Sequence, residues 1–350
     1  MDAVNNKVEL KKILIIRFSS IGDILLTTPA IRLLKARFPE CRIDFVIKRQ
    51  FSELLAAHPA IDRLYQFNNS QPDGLRKLGR EVREQHYDLI LDLHNNFRSH
   101  YLTMNSRAKF VLRYQKPLLR RLLLVKFKIN LFKRALPVYQ RYLKPLQRWG
   151  IRDDGLGLDI FFKPEIIAKI NVKYQSFFQQ SSKPVIGIAP GASFATKRWS
   201  AHGFKRVADH LLENSNTALV FLGDTADREL IDSLNIKKSD KLVNAAGELS
   251  IAETAALVDH CDLVLTNDSG LMHLAEALKK KVVAIFGSTT RELGFFPTSA
   301  NCVVIEKIDV PCRPCSHIGR QKCPKDHFRC MEEITPQQVI EEIENLLHFR

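Results

Sequence analysis

The sequence predicts an α/β protein built from two doubly wound parallel sheets. Short apolar runs typical of buried strands alternate with segments whose apolar residues recur at helical spacing. This alternation occurs twice, once in each half of the chain. At 350 residues, with 45% hydrophobic and 26% charged residues, the chain has the length and composition of two globular domains.

Nine apolar runs are the predicted strands. Each run is short, and each is followed by polar or Gly-containing residues. They cover residues 13–18, 42–47, 64–67 and 89–94 in the first half, and 184–190, 218–223, 241–247, 262–267 and 281–287 in the second. Helical patterns separate the runs, so the strands are expected to be parallel, with helices on both faces of each sheet.

The two series of elements predict the domain boundaries. Residues 1–163 are expected to form an N-terminal domain and residues 164–335 a C-terminal domain. The last apolar helix, in residues 336–350, is expected to pack back on the N-terminal domain. No apolar run approaches the roughly 20 residues of a membrane-spanning helix. The N-terminus lacks the apolar core of a secretory signal, which predicts a cytoplasmic protein.

The formal net charge of +15 is concentrated in the first half of the chain. Residues 1–175 hold 33 Lys and Arg against 16 Asp and Glu, whereas residues 176–350 hold 20 against 22. The segment from Leu93 to Arg152 contains 15 basic residues and no acidic one, and its cations are interleaved with Leu, Val, Ile and Phe. This pattern indicates an anionic partner: nucleic acid, an anionic membrane surface, or a substrate with carboxylate and phosphate groups.

The apolar residues between these cations favour a membrane surface, because a basic amphipathic helix can lie in the headgroup layer. No named nucleic-acid signature is present. A solvated basic face without a special role is the alternative.

Polar residues follow the predicted strands at the positions where open parallel sheets bind ligands. Asp23 follows the first strand, in RFSSIGDILLTTPA. Four loops of the second half, residues 190–193, 223–227, 267–270 and 287–290, occupy equivalent positions. Five such strand ends on two domains predict a ligand-binding cleft between the domains.

The loop in NDSGLMHLAEAL can form an anion site. Free amides at the helix start, the helix dipole and the Ser269 hydroxyl all favour an anion beside Gly270. Asp268 precedes them, and His273 lies one turn into the helix. A helix cap formed by Asp268 or Ser269 would explain the same residues.

Two further loops carry polar groups suited to a nucleotide. PGASFATKRW places Ser193 and Lys197 after a strand, although the order of a Walker A loop is missing. FLGDTADRELI offers Asp224, Asp227 and Glu229, and a carboxylate there can bind ribose hydroxyls. Helix capping explains Asp224 as well, and the missing G-x-G-x-x-G disfavours a nicotinamide or flavin cofactor.

Five segments together resemble the ADP-heptose:lipopolysaccharide heptosyltransferases of glycosyltransferase family 9. They are RFSSIGDILLTTPAIRLLKARFP, PGASFATKRWSAHGFKRVADHL, NAAGELSIAETAALV, LVLTNDSGLMHLAEAL and VVAIFGSTT. The resemblance implies a GT-B architecture, in which two Rossmann-like domains face each other across a cleft. It also implies inverting transfer of a heptose from ADP-L-glycero-D-manno-heptose to the lipopolysaccharide inner core, with Kdo or heptose as acceptor.

The resemblance implies a role for each matching residue. Asp23 would be the general base that accepts the proton of the attacking hydroxyl. The donor would be bound by Ser193, Lys197, Asp227, Asp268, Ser269, Gly270 and His273. The candidates to bind the family's anionic acceptor are Gly22 and, from the acid-free basic segment, Arg98, Arg113, Lys116 and Arg120. Because Lys197 and the helix behind Ser269 would stabilise the charge on ADP, no metal or other cofactor is required.

The expected partners are a nucleotide sugar, an anionic lipid-linked saccharide, and the cytoplasmic surface of the inner membrane, to which the protein would bind peripherally. Two other functions stay open. One is a GT-B transferase for another nucleotide sugar, because the loops are suited to diphosphate and ribose rather than to a particular sugar. The other is a basic nucleic-acid-binding protein, which would leave the C-terminal loops unexplained.

Four of the seven cysteines cluster late in the chain. Cys312, Cys315, Cys323 and Cys330 have the spacing C-x2-C-x7-C-x6-C. Thiolates at such spacing could hold a tetrahedral zinc ion. Paired or free structural thiols are the favoured interpretation.

Overall fold

A computed structural model describes residues 9–180, 184–214, 217–237 and 239–347. The chain divides into two compact units. The first unit comprises Met1–Lys116 and Tyr139–Leu156, and the second comprises Pro117–Val138 and Gly157–Arg350. Each unit contains one parallel sheet with helices, which confirms the predicted fold class.

The first unit contains a five-stranded sheet with the spatial order β3-β2-β1-β4-β5. The strands are β1 (Lys12–Ile16), β2 (Arg42–Lys48), β3 (Arg63–Phe67), β4 (Leu89–Asp92) and β5 (Phe110–Arg113). Every pairing is parallel, and Ile13 on β1 lies between Ile43 and Leu89. The chain leaves β1 toward β2 and later returns to β4 on the other side of β1. That reversal is where doubly wound sheets open to ligands.

The second unit contains a six-stranded parallel sheet with the order β11-β10-β9-β6-β7-β8. Its strands are β6 (Val185–Ala189), β7 (Ala218–Phe221), β8 (Leu242–Asn244), β9 (Leu263–Asn267), β10 (Lys281–Phe286) and β11 (Cys302–Glu306). The central strands β6 and β9 are buried throughout, as expected for a parallel sheet covered on both faces.

Helices connect the strands in both units. In chain order they are α1 (Ile21–Leu25), α2 (Thr28–Arg37), α3 (Gly74–Glu84), α4 (Phe97–Asn105), α5 (Leu118–Leu122), α6 (Val138–Leu143), α7 (Pro164–Lys173), α8 (Gln175–Gln180), α9 (Ala201–Asn214), α10 (Thr225–Ser233), α11 (Ile251–Asp259), α12 (Gly270–Ala277), α13 (Arg329–Glu332) and α14 (Pro336–Leu347). A π-helical turn (Leu123–Phe127) continues α5. Short 3-10 turns cover Arg49–Leu54, Lys144–Trp149, Ala195–Lys197 and Arg291–Leu293. Within the described ranges, no helix has both the length and the apolar character that crossing a membrane requires.

The nine predicted strands all form, but β5 and β11 were not predicted. Both lie at sheet edges, and neither contains a fully buried residue. Their sequences, FVLR and CVVIE, therefore lack the strong apolar signal of a central strand.

The unit boundaries correct the predicted domain limits. The second unit begins at Gly157 rather than at residue 164, and it also takes up Pro117–Val138 from the basic segment. Backbone and side-chain contacts attach that segment, because Val138 N donates to the Gly294 carbonyl at 2.8 Å and Asn130 Nδ2 donates to Glu292 Oε1 at 3.2 Å. Contacts of this kind cannot be read from hydrophobic periodicity.

The C-terminal helix α14 packs on the second unit, which corrects the expectation that it returns to the N-terminal domain. Val339, Ile340 and Ile343 are buried in one cluster with Trp199 and Phe204. The described ranges leave out residues 348–350 of the predicted helix and residues 1–8 of the N-terminus.

Replacing Ile343 by Ala tests this packing. Ile343 is fully buried, so we expect the free energy of unfolding to fall by about 2–5 kcal/mol through lost burial and a residual cavity. Urea unfolding followed by tryptophan fluorescence measures the change, since Trp199 lies in the same cluster. Ile308→Ala is the control, because Ile308 is 81% exposed and its loss should change stability by less than about 0.5 kcal/mol. Equal effects of the two substitutions would contradict the packing of α14.

Candidate active site

Asp23 lies in the first turn of α1, just after the carboxyl end of β1. Ser20 is the N-cap residue of this helix, and its backbone N–H and hydroxyl approach Asp23 Oδ2 at 3.5 and 3.2 Å. Ser20 rather than Asp23 therefore caps α1, and Asp23 is the third helical residue, which completes the capping box. The Asp23 side chain retains 22% of its surface exposed, so its carboxylate is accessible from solvent.

Arg17 holds the Asp23 carboxylate from the buried side. Its Nη2 lies 2.7 Å from Asp23 Oδ1, while Nε and Nη1 each donate at 2.8 Å to the carbonyls of Ser19 and Leu93. The guanidinium lies 5.7 Å from the ring centroid of Tyr142, whose hydroxyl is 3.4 Å from Asp23 Oδ1. All three guanidinium nitrogens of Arg17 therefore have partners, which fixes the position of the Asp23 carboxylate.

The surroundings of Asp23 keep it ionised at neutral pH. Burial alone would raise the pKa of the Asp23 carboxyl, but the charge of Arg17 and the hydrogen bonds from Ser20 hold that pKa below its usual range. In contrast, burial and the charges of Arg17 and Lys116 lower the pKa of nearby His94 to about 3. At neutral pH Asp23 is therefore charged and His94 is neutral.

The basic residues predicted to bind the acceptor have different environments. Arg98 is exposed at the start of α4, with its guanidinium 5.9 Å from the Phe67 ring centroid. Arg113 donates to the Thr103 hydroxyl and lies 3.5 Å from Asp92 Oδ2, so it braces β4 and α4.

The other predicted acceptor residues are also separated. Lys116 donates to the Asn95 carbonyl at 2.8 Å, and Gly22 is buried inside α1. Arg120 is exposed and belongs to the second unit. Within the first unit, Arg98 is therefore the predicted cation that presents its charge to solvent.

A cavity that the sequence did not reveal lies at the carboxyl ends of β2 and β3. Its volume is about 630 Å³, and its walls include Lys48, Arg49, Gln50, Phe67 and Asn68. Two cations, the Glu53 carboxylate, amides and an aromatic ring occur together here. In the sequence, polar residues follow both strands, as KRQ (48–50) and NNS (68–70). These loops contain no Gly, so the sequence did not predict a ligand site here.

Lys197 and Asp268 form a buried ion pair at the carboxyl edge of the second sheet. Lys197 ends the 3-10 turn after β6, and its Nζ lies 2.8 Å from Asp268 Oδ2. Thr289, after β10, donates its hydroxyl to the same oxygen at 2.7 Å. These contacts bring together the loops that follow β6, β9 and β10.

Asn267 joins the loops that follow β6 and β9, a role that the sequence did not predict. Its Oδ1 accepts from the Trp199 backbone at 3.0 Å, and its Nδ2 donates to the Pro190 carbonyl at 2.7 Å. Asn267 is fully buried, so both amide groups require these partners. The available signal was a polar residue closing an otherwise apolar strand.

Asp227 lies where the loops after β6 and β7 approach each other. It accepts from the Asp224 backbone at 3.0 Å, while Asp224 caps α10 by accepting from Ala226 and Asp227. A Cβ on Gly191 would stand 2.1 Å from Asp227 Oδ1, and one on Gly223 would stand 2.5 Å from Asp227 Cβ. A larger residue at either position would therefore displace the Asp227 side chain. Burial, together with the charge of Asp224, raises the pKa of Asp227.

The remaining predicted donor residues surround the start of α12 or the loop before Lys197. Ser269 is the N-cap residue of α12, with its hydroxyl 3.1 Å from that of Thr266, and Gly270 is the first helical residue. Ser193 is exposed in the loop after β6. His273 is only 4% exposed, and its Nδ1 lies 3.5 Å from Glu276 Oε2. The ring of His273 thus packs inside the unit.

Comparison with known proteins identifies the family. The family model described as glycosyltransferase family 9 (heptosyltransferase) matches residues 75–325. The chain belongs to glycosyltransferase family 9. It is a glycosyltransferase, and the family recognised from the sequence motifs is confirmed.

Similar proteins cover nearly the whole of this family 9 glycosyltransferase. Lipopolysaccharide heptosyltransferase 2 of Salmonella typhimurium strain LT2 is 28% identical over 359 residues, covering 96% of this chain and 98% of that protein. The structure of E. coli ADP-heptose LPS heptosyltransferase II superposes with a TM-score of 0.74 at 25% identity, covering 96% and 98%. A family 9 glycosyltransferase from Veillonella parvula superposes with a TM-score of 0.81 at 24% identity, covering 98% and 99%. These matches confirm the GT-B fold class.

The late cysteines of this glycosyltransferase are free thiols. Cys312 Sγ lies 3.7 Å from His327 Nε2, and burial raises the pKa of Cys330 to about 11. Throughout the described part of the chain, no group of three or more His, Cys, Asp or Glu side chains is arranged to hold a metal ion. The zinc hypothesis therefore gains no support from the side-chain geometry.

Replacing Arg17 by Met tests the electrostatic control of Asp23. Without the guanidinium, burial dominates and the pKa of Asp23 should rise. Carbon-13 NMR titration of the aspartate carboxyls measures this shift, and Arg17→Lys, which keeps the charge, should give a smaller rise. An Asp23 pKa that stays unchanged in Arg17→Met would contradict the assignment.

We also expect Arg17→Met to change how the stability of the protein depends on pH. The folded-state pKa of Asp23 lies below its unfolded value of about 3.9, so the pair stabilises the wild-type fold at neutral pH. This contribution is lost as the pH falls through the folded-state pKa. Arg17→Met should therefore lose stability mainly at neutral pH and little at the acidic end.

Proposed function

We propose that this glycosyltransferase moves a heptose, with inversion, from ADP-L-glycero-D-manno-heptose to the inner core of lipopolysaccharide at the cytoplasmic surface of the inner membrane. Family membership supports glycosyl transfer, and the 28% identity to a lipopolysaccharide heptosyltransferase 2 over nearly both chains supports the heptose and the acceptor class. The observation that carries the mechanism is the accessible Asp23 carboxylate, kept ionised by a buried Arg17.

Asp23 is the proposed general base. In the transfer step an acceptor hydroxyl oxygen bonds to the anomeric carbon, and the bond from that carbon to the ADP oxygen breaks. The hydroxyl proton passes to Asp23, and the bonding electrons leave with ADP. The transition state has oxocarbenium character, so the base need only accept the proton as the new bond forms. Arg17 is a positioning residue in this proposal, because it acts through Asp23.

The proposed donor site is the carboxyl edge of the second sheet. Lys197 supplies a cation on a flexible stem, and Ser269 supplies a hydroxyl beside the free amides at the start of α12. A diphosphate bound there would share Lys197 with Asp268, and the helix dipole would favour its charge. As ADP leaves, the same groups stabilise its added negative charge. Asp227 is the proposed ribose ligand, with Ser193, Gly270 and His273 completing the predicted donor set.

The proposed acceptor site includes the cavity after β2 and β3. Lys48 and Arg49 can bind carboxylates or phosphates, Asn68 can bind hydroxyls, and Phe67 can pack on a sugar face. Lys48 also belongs, with Arg17 and Lys116, to the cations that lower the pKa of His94. Cations grouped near His94 favour an anionic acceptor in this proposal.

Further predicted acceptor residues complete this proposal. Arg98 contacts Phe67, which lines the cavity, whereas Lys116 holds the Asn95 carbonyl and Arg113 holds Asp92. Gly22 and Arg120 stay acceptor candidates from the sequence motifs.

A panel of nucleotide sugars tests the donor and reaction class. We expect ADP release that requires both ADP-heptose and a Kdo- or heptose-bearing acceptor, with much lower turnover of UDP- and GDP-sugars. The reason is that the match to heptosyltransferases extends through the donor loops, whereas the loops alone specify only diphosphate and ribose. Equal or faster turnover of a UDP- or GDP-sugar would assign this GT-B enzyme to another donor.

Replacing Asp23 by Asn tests the general base. Loss of the base should lower kcat by about 10²–10⁴-fold while ADP affinity stays close to the wild-type value, because the proposed ADP ligands lie on the second sheet. Steady-state kinetics and calorimetric ADP binding measure the two effects. The matched control is Asp154→Asn, which removes another Arg-paired carboxylate of similar exposure, since Arg32 Nη2 lies 2.8 Å from Asp154 Oδ1. Wild-type turnover in Asp23→Asn, or equal losses of kcat in both variants, would contradict the proposed role of Asp23 as general base.

A further inference from the structure

Residues 118–134 of the second unit, which we name the docking segment, expose an unusual amount of apolar surface. The segment contains α5, the π-helical turn after it and the irregular chain that follows. Among the described residues, fourteen large hydrophobic side chains are strongly exposed, and six of them lie here. They are 45–67% exposed: Leu118, Leu119, Leu122, Phe127, Ile129 and Leu131. Exposed apolar groups at this density mark an interaction surface.

The apolar side chains at the start of the docking segment share one side of the helix. At about 100° per residue, Leu118, Leu119 and Leu122 fall within about 100° of one another. Leu124 is buried, so it is a different side of the helix that packs against the rest of the second unit. The exposed leucines therefore form a face that the fold leaves uncovered.

The charges of the docking segment have a single sign. Arg120, Lys126, Lys133 and Arg134 are exposed, and the sequence has no acidic residue from Leu93 to Arg152. Cations beside exposed aliphatic groups fit a phospholipid surface, where the cations contact phosphates and the apolar side chains enter the acyl boundary.

Lys128 attaches the docking segment to the loop that contains Cys312, Cys315 and Cys323, which we name the cysteine-rich loop. Its Nζ donates to the carbonyls of Val125, Cys312 and Pro314 at 2.9, 2.8 and 2.7 Å. An open cavity of about 560 Å³ lies beside this contact, with Lys126 and Lys325 on its walls. The cavity offers a place for a phosphate headgroup beside Lys126 and Lys325.

We propose that the docking segment binds the surface of an anionic phospholipid bilayer. The inference deepens the proposed function, since it names the surface through which the enzyme would reach a lipid-linked acceptor. Nucleic acid fits less well, because single strands bind to cationic grooves with stacking aromatic rings, whereas five of the six exposed apolar residues here are Leu or Ile. A second copy of the chain would bring like charges together.

Vesicle co-sedimentation with the full chain tests the surface. We expect binding to equimolar phosphatidylcholine and phosphatidylglycerol, and little binding to phosphatidylcholine alone. Leu118→Ser/Leu119→Ser should lower the partition coefficient at least tenfold. Lys126→Gln/Lys133→Gln should lower it about thirtyfold, because each cation contributes several-fold near an anionic surface. The matched control is Val172→Ser/Ile308→Ser, which removes two side chains of the same unit that are 75% and 81% exposed.

Other outcomes would overturn the proposal. Equal vesicle binding by the leucine and control variants would show that the docking segment does not contact lipid. Duplex or single-stranded DNA binding that is tighter than vesicle binding, and that is lost in Lys126→Gln/Lys133→Gln, would assign the surface to nucleic acid. A change of oligomeric state in Leu118→Ser/Leu119→Ser, without a change in vesicle binding, would assign it to a second copy of the chain.

Activity assays separate this proposal from the proposed function. With a water-soluble, deacylated acceptor, Leu118→Ser/Leu119→Ser should keep the wild-type rate, whereas with acceptor embedded in anionic vesicles it should be slower. Vesicle binding without transfer to either acceptor would overturn the proposed function and leave the lipid surface supported. Equal rates of wild type and variant on the embedded acceptor would overturn the docking role.

Discussion

Because both faces of each parallel sheet are buried, the ion pairs of the proposed site lie at the carboxyl edges of the strands. The central strands β1, β2 and β4 of the first unit and β6, β7, β9 and β10 of the second are almost wholly buried. A charged side chain on such a strand would need a compensating partner. At the carboxyl edges, by contrast, loops bring carbonyls, hydroxyls and amides that can hold a charge. In both units an ion pair forms there, between Arg17 and Asp23 and between Lys197 and Asp268.

The two ion pairs differ in what their cations can do. Arg17 has a rigid planar fork whose nitrogens contact Asp23 and the carbonyls of Ser19 and Leu93, so it fixes the carboxylate in place. Lys197 carries a point charge on a flexible stem, and Asp268 is also held by Thr289. A lysine can therefore shift from its carboxylate to an arriving phosphate without dismantling the loop. In the proposed mechanism, the first unit would therefore supply a stationary base and the second an adaptable anion ligand.

Strand ends were readable from the sequence, whereas contacts between distant segments were not. Asp23 and Lys197 each follow an apolar run, and their positions at sheet edges followed from the alternation of strands and helices. The role of Arg17 depends on the Leu93 carbonyl, 76 residues away, which no local pattern reports. Asn267 was visible as a strand end, but its two partners come from another loop.

The assignment of the docking segment to the second unit was hidden for the same reason. Its composition predicted an anionic partner, whereas the contacts of Asn130 with Glu292 and of Lys128 with Cys312 and Pro314 show where the segment is attached. The contacts of Lys128 use backbone carbonyls of the cysteine-rich loop, so the loop matters here through its conformation rather than through its thiols. Burial lowers the pKa of Lys128, which means that its carbonyl partners must compensate for lost hydration. A lysine committed in this way is a poor lipid ligand, so in the proposed bilayer contact the exposed cations around it would bind the headgroups, and the cysteine-rich loop would support the segment that carries them.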